Sequence, residues 1–307
     1  MLIAHKTLAA IEEAFQKDQG ACYRGWLGQL MPLAGDAYDT KDEPFRSHLG
    51  ASLIGRECSR ELWYSFHWAT RKKFEGRMLR LFNRGHLEEP RFIALFKMIG
   101  CDFWQVDANG KQFRITGHKG HFGGSMDGVV RGIPDMPDIP MLAEFKTHGE
   151  KSFIKLQESG VMGAKWEHFI QMQVYMGKNG LTWAIYGAVN KNTDALHLEL
   201  VQFDQVQYDR YLARAVMVID SRDPPPKINN SPGWFKCKMC DQAPVCHGKD
   251  LPDRNCRTCK WVDVDDNARW ICNVPTPPDG GGLDRPLSKD EQLQTCTLYE
   301  MKATIKS

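Results

Sequence analysis

The segment Met141 to Thr147, with the sequence MLAEFKT, places two residues of opposite charge inside an apolar strand pattern. A β-strand turns alternate side chains to the same face at about 3.3 Å per residue. Glu144 and Lys146 are therefore predicted to lie side by side, while Phe145 points into the core. Asp127, at the end of a preceding predicted strand, can add a second carboxylate. Because carboxylate oxygens hold Mg²⁺ or Mn²⁺ in preference to softer metals, the pattern predicts a divalent-metal site that can bind phosphate.

The same triplet also suits an exposed ion pair on a strand, which contributes only about 0–1 kcal/mol to stability. For Glu144-Phe-Lys146 taken alone, this structural interpretation is the more common one. The choice between a metal site and a surface ion pair therefore depends on the elements around the strand.

The composition favours a soluble globular protein, because 42% of the 307 residues are hydrophobic. One domain with an appendage and two small domains both fit this length. The net charge of +2 does not by itself indicate a nucleic-acid partner. Charge appears too early after Met1 for a signal peptide, and no apolar run approaches the ~18 residues of a membrane span. We therefore predict a cytoplasmic location.

Hydrophobic periodicity predicts an α/β chain in which helices flank a mixed central sheet. The predicted strands are 112–117, 128–131, 141–147, 182–189 and 197–203, and the first three are expected to form a meander. The predicted helices are 5–18, 74–99, 166–176 and 205–219. The Pro-rich segment 133–140 is predicted to be a loop.

A cluster of basic residues surrounds the start of the second predicted helix. Because apolar residues are interleaved with the basic ones, we expect this helix to be apolar inside and basic outside. Such a face is either a solvated surface or a binding surface for phosphates. The basic residues are Arg71, Lys72, Lys73, Arg77, Arg80 and Arg84, and the apolar ones are Phe74, Leu79, Leu81 and Phe82.

Polar motifs occur on successive predicted elements. Gly85-His-Leu-Glu-Glu89-Pro90 lies on a helix, Asp127 and Glu144-Phe-Lys146 lie on strands, and Gln171-Met-Gln-Val-Tyr175 lies on the next helix. This order resembles the PD-(D/E)XK nuclease superfamily, and within it the RecB-like and lambda-exonuclease-like (YqaJ) enzymes of phage type. The resemblance covers roughly residues 47–220.

The resemblance implies a restriction-endonuclease-like core that uses Mg²⁺ or Mn²⁺ to hydrolyse phosphodiester bonds. Lys146 would orient or deprotonate the attacking water and stabilise the transition state. One departure is Met126, because the superfamily often has proline before the acidic ligand. The implied metal ligands are Asp127, Glu144 and the Phe145 carbonyl, with Glu89 or His86, and the implied DNA-binding residues are Gln171, Tyr175 and His168.

The function implied by the resemblance is an exonuclease that degrades linear DNA from its ends in phage recombination, repair or DNA degradation. DNA is then the main partner, and a single-strand annealing or recombination protein is a possible second one. A phage-encoded enzyme would work in the host cytoplasm. Two alternatives stay open, namely a structure- or sequence-specific endonuclease and a DNA-binding recombination accessory protein. The sequence leaves the polarity and the strand preference open.

Two sets of cysteines follow residue 236, and their spacing indicates metal ligation in a reducing compartment. Cys237, Cys240 and Cys246 can supply three ligands. Cys58 resembles the lone upstream cysteine of the iron-sulfur nucleases of the RecB-like branch, and this resemblance implies a 4Fe-4S cluster. The alternative is Zn²⁺ with His247 as the fourth ligand.

The second set comprises Cys256, Cys259, Cys272 and Cys296, for which a structural Zn²⁺ ion is the expected use. Cys296 is the least certain of these ligands, because a long spacing through Gly280–Gly282 precedes it. Cys22 and Cys101 are expected to be buried apolar residues. The predicted segments are an N-terminal helical extension (1–46), the nuclease core (47–220), a Pro-rich linker (221–233) and a cysteine-rich metal-binding region (234–307).

Overall fold

The computed structural model describes residues 1–38, 45–71, 73–275 and 283–306; Lys72 and Gly280–Gly282 lie outside this part of the chain. The strands are β1 (Leu2–Ile3), β2 (Leu49–Gly50), β3 (Asp102–Trp104), β4 (Arg114–Gly117), β5 (Phe122–Ser125), β6 (Gly128–Arg131), β7 (Met141–His148), β8 (Trp183–Asn190), β9 (Leu196–Gln202), β10 (Val262–Val264), β11 (Trp270–Cys272) and β12 (Arg285–Leu287). The helices are α1 (His5–Asp18), α2 (Ala21–Leu30), α3 (Gly35–Tyr38), α4 (Ser59–Phe66), α5 (Gly76–Met98), α6 (Glu150–Ala164), α7 (Trp166–Asn179), α8 (Gln205–Asp220), α9 (Phe235–Lys238), α10 (Ala243–Cys246) and α11 (Lys289–Leu293).

The chain forms two compact units, each built from several segments. The first unit comprises Met1–Asp42, Phe74–Ile115 and Ser125–Asp209, and the second comprises Glu43–Lys73, Thr116–Gly124 and Arg210–Ser307. Each unit therefore draws on more than one of the segments predicted from the sequence, whose boundaries at 46, 220 and 233 stay predictions.

The first unit contains a six-stranded sheet in the order β1-β9-β8-β7-β6-β3. The central pair, β7 and β8, is parallel, and the other neighbouring strands are antiparallel. A parallel pair needs a long crossover, and α6 and α7 provide it between β7 and β8. The predicted mixed sheet with flanking helices is confirmed.

Helices cover both faces of this sheet. On one face, Phe92 and Phe96 of α5 pack with Phe103 of β3 and Phe145 of β7, and Ile11 of α1 joins the same apolar cluster. On the other face lie α6 and α7. The two-sided cover explains why β7 is almost entirely buried and why its sequence is largely apolar.

The predicted meander of three strands is wrong in one of its members. The segment 114–117 is β4, which belongs to a separate three-stranded sheet in the order β2-β5-β4. The position beside β6 is taken by β3, in which only Phe103 is buried between two exposed residues. A three-residue strand with a single inward residue gives no recognisable alternation, so the pattern did not reveal it.

The start of α5 also differs from its prediction. Arg77, Arg80 and Arg84 are exposed as expected, but Leu79 and Phe82 are exposed too, at 53% and 40%. The apolar stripe of α5 packs on the sheet only from Pro90 onward. The first turns of α5 therefore present a mixed basic and apolar surface instead of an amphipathic one.

The remaining elements match their predictions to within a few residues, except for helices that the periodicity did not indicate. One of these is α6, which is interrupted at Gly160 (φ +66°) and has few buried residues. Cys101 is buried as expected, whereas Cys22 is exposed on α2, so its prediction is wrong. Within the described ranges no helix is both long and apolar enough to cross a membrane.

The second unit contains the antiparallel sheet β10-β11-β12 and the parallel pair of β2 with β5. Its largest buried side chains include Trp63, Trp68, Trp270 and Arg257. The tryptophans are therefore core residues, and the guanidinium of Arg257 lies among them.

Candidate active site

The predicted alternation along β7 is present in the structure. Glu144 and Lys146 lie on one face, and the side chain of Phe145 on the other face stacks on Phe92 with a ring-centroid distance of 4.6 Å. Glu144 is 0% exposed. An exposed strand ion pair is therefore excluded as an explanation of this triplet.

The two oxygens of the Glu144 carboxylate differ in their hydrogen bonding. Its Oε1 accepts hydrogen bonds from Lys146 Nζ and from Gln171 Nε2, the latter at 2.8 Å. Its Oε2 is buried and has no hydrogen-bond partner among the described residues. The pKa of Glu144 is raised to about 7, mainly by burial; Lys146 opposes this rise and Asp127 contributes to it. A buried carboxylate oxygen without a partner is costly and indicates a missing cation or water.

Asp127 contacts β7, and the glycine that follows it allows β6 to approach β3 closely. A Cβ atom on Gly128 would lie 2.4 Å from the Phe103 ring and 2.7 Å from the Trp104 carbonyl, so only glycine allows this approach of β6 to β3. Asp127 Oδ2 accepts a 2.7 Å hydrogen bond from the Phe145 N–H of β7. Burial raises the pKa of Asp127, an effect that Lys146 partly offsets.

Lys146 is a cation between these two carboxylates. Burial by itself would lower the pKa of Lys146, but Glu144 and Asp127 outweigh burial and raise it. Its side chain keeps 27% of its surface exposed. The ammonium group can therefore stay charged at neutral pH and still meet a ligand from solvent.

An open cavity of about 560 Å³ adjoins Lys146. His86 and Glu89 of α5 line it, as do Lys165 and Lys191. The charge of Glu89 contributes to the raised pKa of Lys146. The charge of His86 acts to lower the pKa of Asp127. His86 and Glu89 therefore line the cavity, whereas Asp127 and Glu144 are linked to it through Lys146. In the part of the chain that is described, however, no three His, Cys, Asp or Glu side chains form a ready-made metal-binding group.

A hydrogen-bonded network that the sequence analysis missed continues the charged face of β7. The Tyr186 hydroxyl lies 2.9 Å from His148 Nε2 and 2.8 Å from His168 Nδ1. Burial, together with the nearby charges of Lys165 and Lys146, lowers the pKa of His148 to about 4 and that of His168 to about 2. The alternation along Glu144, Lys146 and His148 could have indicated that His148 lies on the same face of the strand. The position of Tyr186 beside Glu144 depends on the register of β7 against β8, which the sequence pattern does not show.

The two neutral histidines predict a pH-dependent stability. An unfolded histidine has a pKa near 6.5, and the folded value for His148 is depressed to about 4. Unfolding therefore takes up a proton between these values, and stability falls as pH falls from about 6.5 to 4. At about 1.4 kcal/mol per pKa unit the loss from His148 is on the order of 3 kcal/mol. Urea unfolding at pH 7, 5.5 and 4 should show a shallower decline for His148→Gln than for the wild type, and equal slopes would contradict the prediction.

The predicted DNA-binding residues expose little of their side chains to solvent. Gln171 is 6% exposed and binds Glu144, and Tyr175 is 2% exposed on the same helix. His168 lines the cavity and is held by Tyr186. Gln171 is thus placed to orient the Glu144 carboxylate, and the direct contact of these three residues with DNA stays a prediction.

In the second unit the cysteines of the first predicted set influence one another electrostatically. Burial raises the pKa values of Cys237, Cys240 and Cys246, and the Cys58 side chain adds to all three shifts. Cys58 immediately precedes α4, whereas the other three lie in or beside α9 and α10. Cys58 thus lies near enough to the three late cysteines to affect their pKa values. Among the described residues these thiols do not form a ready-made metal-binding group, so their ligation of a cluster or metal ion stays a prediction.

No family model matches the chain, and no curated protein matches it. Solved structures that resemble it in part include an alkaline exonuclease (LHK-Exo) from Laribacter hongkongensis, with 16% identity, a TM-score of 0.42 and coverage of 64% of this chain and 90% of that chain. LHK-Exo in complex with dAMP has 16% identity and a TM-score of 0.39, with coverage of 56% of this chain and 86% of that chain. SSO0001 has 15% identity and a TM-score of 0.37, with coverage of 74% of this chain and 96% of that chain. All these TM-scores lie below 0.5, so these structures do not establish a function for the chain.

Proposed function

We propose that the first unit is a divalent-metal-dependent nuclease core of the PD-(D/E)XK type and that it hydrolyses phosphodiester bonds of DNA. The observation that carries the proposal is the fully buried Glu144 carboxylate, whose Oε2 has no partner in the described structure while Asp127 and Lys146 stand beside it. Two neighbouring carboxylates that repel each other, here the buried Glu144 and the half-buried Asp127, are stabilised by a cation.

The donor set fits Mg²⁺ or Mn²⁺. Asp127, Glu144 and the Phe145 carbonyl would supply hard oxygen ligands, and Glu89 or His86 would complete the set from α5. A metal ion held there would lower the pKa of a bound water and neutralise charge on the phosphate.

Lys146 supplies the fixed positive charge of the site. Its pairing with Glu144 and Asp127 favours the protonated form, which supports a role in stabilising negative charge on the scissile phosphate and orienting water. Gln171 is a positioning residue, because its amide holds Glu144 Oε1 and leaves Oε2 for the metal. Lys165 and Lys191 on the cavity wall would attract the flanking phosphates.

The finer part of the proposal is exonuclease action on linear DNA ends, which the resemblance of Gln171-x-x-x-Tyr175 to the RecB-like motif supports. End-labelled linear duplex, linear single strand and closed circular DNA should be incubated with Mg²⁺, Mn²⁺ or EDTA. Metal-dependent loss of linear DNA alone is expected, and its labelled products give the polarity. Cleavage of the circle would identify an endonuclease. Absence of any cleavage by folded protein would make the first unit a binding module.

Metal binding can be measured without turnover. Mg²⁺ or Mn²⁺ is expected to raise the melting temperature of the wild type, because a ligand at about 100 times its Kd stabilises the folded state by about 2.7 kcal/mol. Glu144, with a pKa of about 7, must release its proton to bind the cation, so the stabilisation should be lost as pH falls from 8 to 6. Asp127→Asn should reduce the shift at every pH. A shift that is equal in Asp127→Asn and wild type would place the metal elsewhere.

We further propose that Cys58, Cys237, Cys240 and Cys246 hold a 4Fe-4S cluster. The convergence of these four thiols supports it, and Zn²⁺ with His247 is the alternative. Protein purified anaerobically should show visible absorbance with iron and sulfide in equal amounts, and Cys240→Ser should lose both. Absence of iron from the wild type, together with a zinc ion that is lost in Cys240→Ser, would decide for the alternative.

A further inference from the structure

The second cysteine set lines a single small cavity in the second unit. Cys256, Cys259, Cys272 and Cys296 all border it, and the remaining wall is apolar or aromatic, including Trp261. The cavity has a volume of about 20 Å³, which is room for one water-sized particle. Four thiols therefore border one small space whose remaining wall is apolar or aromatic. Outside this group, the Cys256 thiol donates to the Glu291 carbonyl at 3.2 Å and to the Gln294 carbonyl at 3.3 Å.

Three separate parts of the chain bring these thiols together. Cys256 and Cys259 lie in one tight turn, where the Cys259 N–H donates a 3.0 Å hydrogen bond to the Cys256 carbonyl. Cys272 ends β11 and pairs with Val262 of β10, three residues beyond that turn. Cys296 arrives with the last segment, in which Met301 bridges Cys259. The convergence therefore depends on tertiary pairing and not on the C-x-x-C spacing alone.

The segment between the first two cysteines carries the most buried cation among the described residues of the second unit. Arg257 is 0% exposed, and its guanidinium lies 3.5 Å from the Trp68 ring centre and 4.2 Å from that of Trp270. It donates to the Phe66 carbonyl at 2.8 Å, to the Ser47 carbonyl at 3.1 Å, and to Gln292 Oε1 at 2.8 Å.

Each of these oxygen acceptors is neutral, so no carboxylate balances the buried charge of Arg257 through these bonds. A negatively charged centre bound by Cys256 and Cys259, the two residues that flank this segment, would compensate the charge of Arg257.

We propose that Cys256, Cys259, Cys272 and Cys296 bind one structural Zn²⁺ ion that fixes this turn and its buried arginine. Zn²⁺ takes four thiolates in a closed tetrahedral site, and four thiolates with one Zn²⁺ carry two net negative charges. The thiols border one cavity without being a ready-made ligand group, so binding requires rotations about their χ1 angles. The metal is distinct from both the catalytic ion and the first cysteine set.

The test is the metal content of full-length protein purified anaerobically. Elemental analysis should find one zinc ion per chain less in Cys272→Ser than in the wild type, whatever the first set holds. Cys22→Ser removes an exposed thiol of the first unit and is the matched control, which should keep all its zinc. Cys272→Ser should also melt at a lower temperature, because the zinc no longer restrains the turn.

A second measurement covers the case in which Cys272→Ser does not fold. Cys240→Ser protein produced with Co²⁺ in place of zinc should show the thiolate charge-transfer and visible bands of a tetrahedral four-sulfur site. Their absence would overturn the proposal. The proposal would also be overturned if both Cys256→Ser and Cys272→Ser retained all the zinc of the wild type. Iron at this site, or disulfides among these four cysteines in the anaerobic protein, would contradict it as well.

Discussion

Glu144→Gln is expected to lower metal-dependent DNA hydrolysis by at least about 10²–10³-fold, the range seen when one preorganised charge-stabilising group is removed from an active site. The change keeps the shape of the side chain and an acceptor oxygen for Lys146 and Gln171, so the fold should persist. It removes the negative charge that the buried Oε2 would offer to the metal. Initial rates on labelled linear DNA with Mg²⁺ measure the effect.

Lys146→Met should produce a loss of similar size for a different reason. The metal ligands remain, so the melting-temperature shift with Mn²⁺ should be retained, while the cation that stabilises the phosphate is gone. Glu158→Gln, an exposed position on α6, is the control and should leave the rate unchanged. A folded Glu144→Gln protein with wild-type activity would refute the proposed site.

Phe92→Ala is expected to destabilise the first unit by about 3–5 kcal/mol, as large-to-small changes of buried aromatic residues do. Phe92 is 1% exposed and stacks on Phe145 at an interplanar angle of 6°. Its loss leaves a cavity directly behind the strand that carries Glu144 and Lys146. Activity should therefore fall together with stability, because β7 loses the packing contact that holds it against α5.

Denaturant unfolding followed by circular dichroism measures this effect. Leu79→Ala on the same helix is the control, because Leu79 is 53% exposed and its truncation should cost less than about 0.5 kcal/mol. Equal destabilisation by the two variants would show that the phenylalanine stack does not anchor α5 to the sheet.

The sequence predicted long elements with a clear period and failed for short ones. β7, β8, α7 and α8 have apolar runs or stripes that extend over seven or more residues, so their bounds were found to within three residues. β3 has one buried residue, and α6 is broken at Gly160. In both elements the hydrophobic pattern is too short or too interrupted to be recognised. Which of their residues are buried is decided by neighbours that are distant in sequence.

The exposed start of α5 shows a related limit. Phe82 and Leu79 were expected inside because apolar side chains usually are, yet only the second half of α5 meets the sheet. A helix pattern states which residues share a side, and it does not state where along its length a partner surface begins.

By itself, the sequence determined that Glu144 and Lys146 share one face of a strand while Phe145 takes the other, because the period of a strand is a local property of the backbone. Only the tertiary structure decided that this face is buried, that Gln171 occupies one Glu144 oxygen and leaves the other, and that Tyr186 joins His148 to His168. These contacts depend on the register of β7 against β8 and on the placement of α7. Both are settled by packing between segments far apart in the chain, which no local pattern encodes.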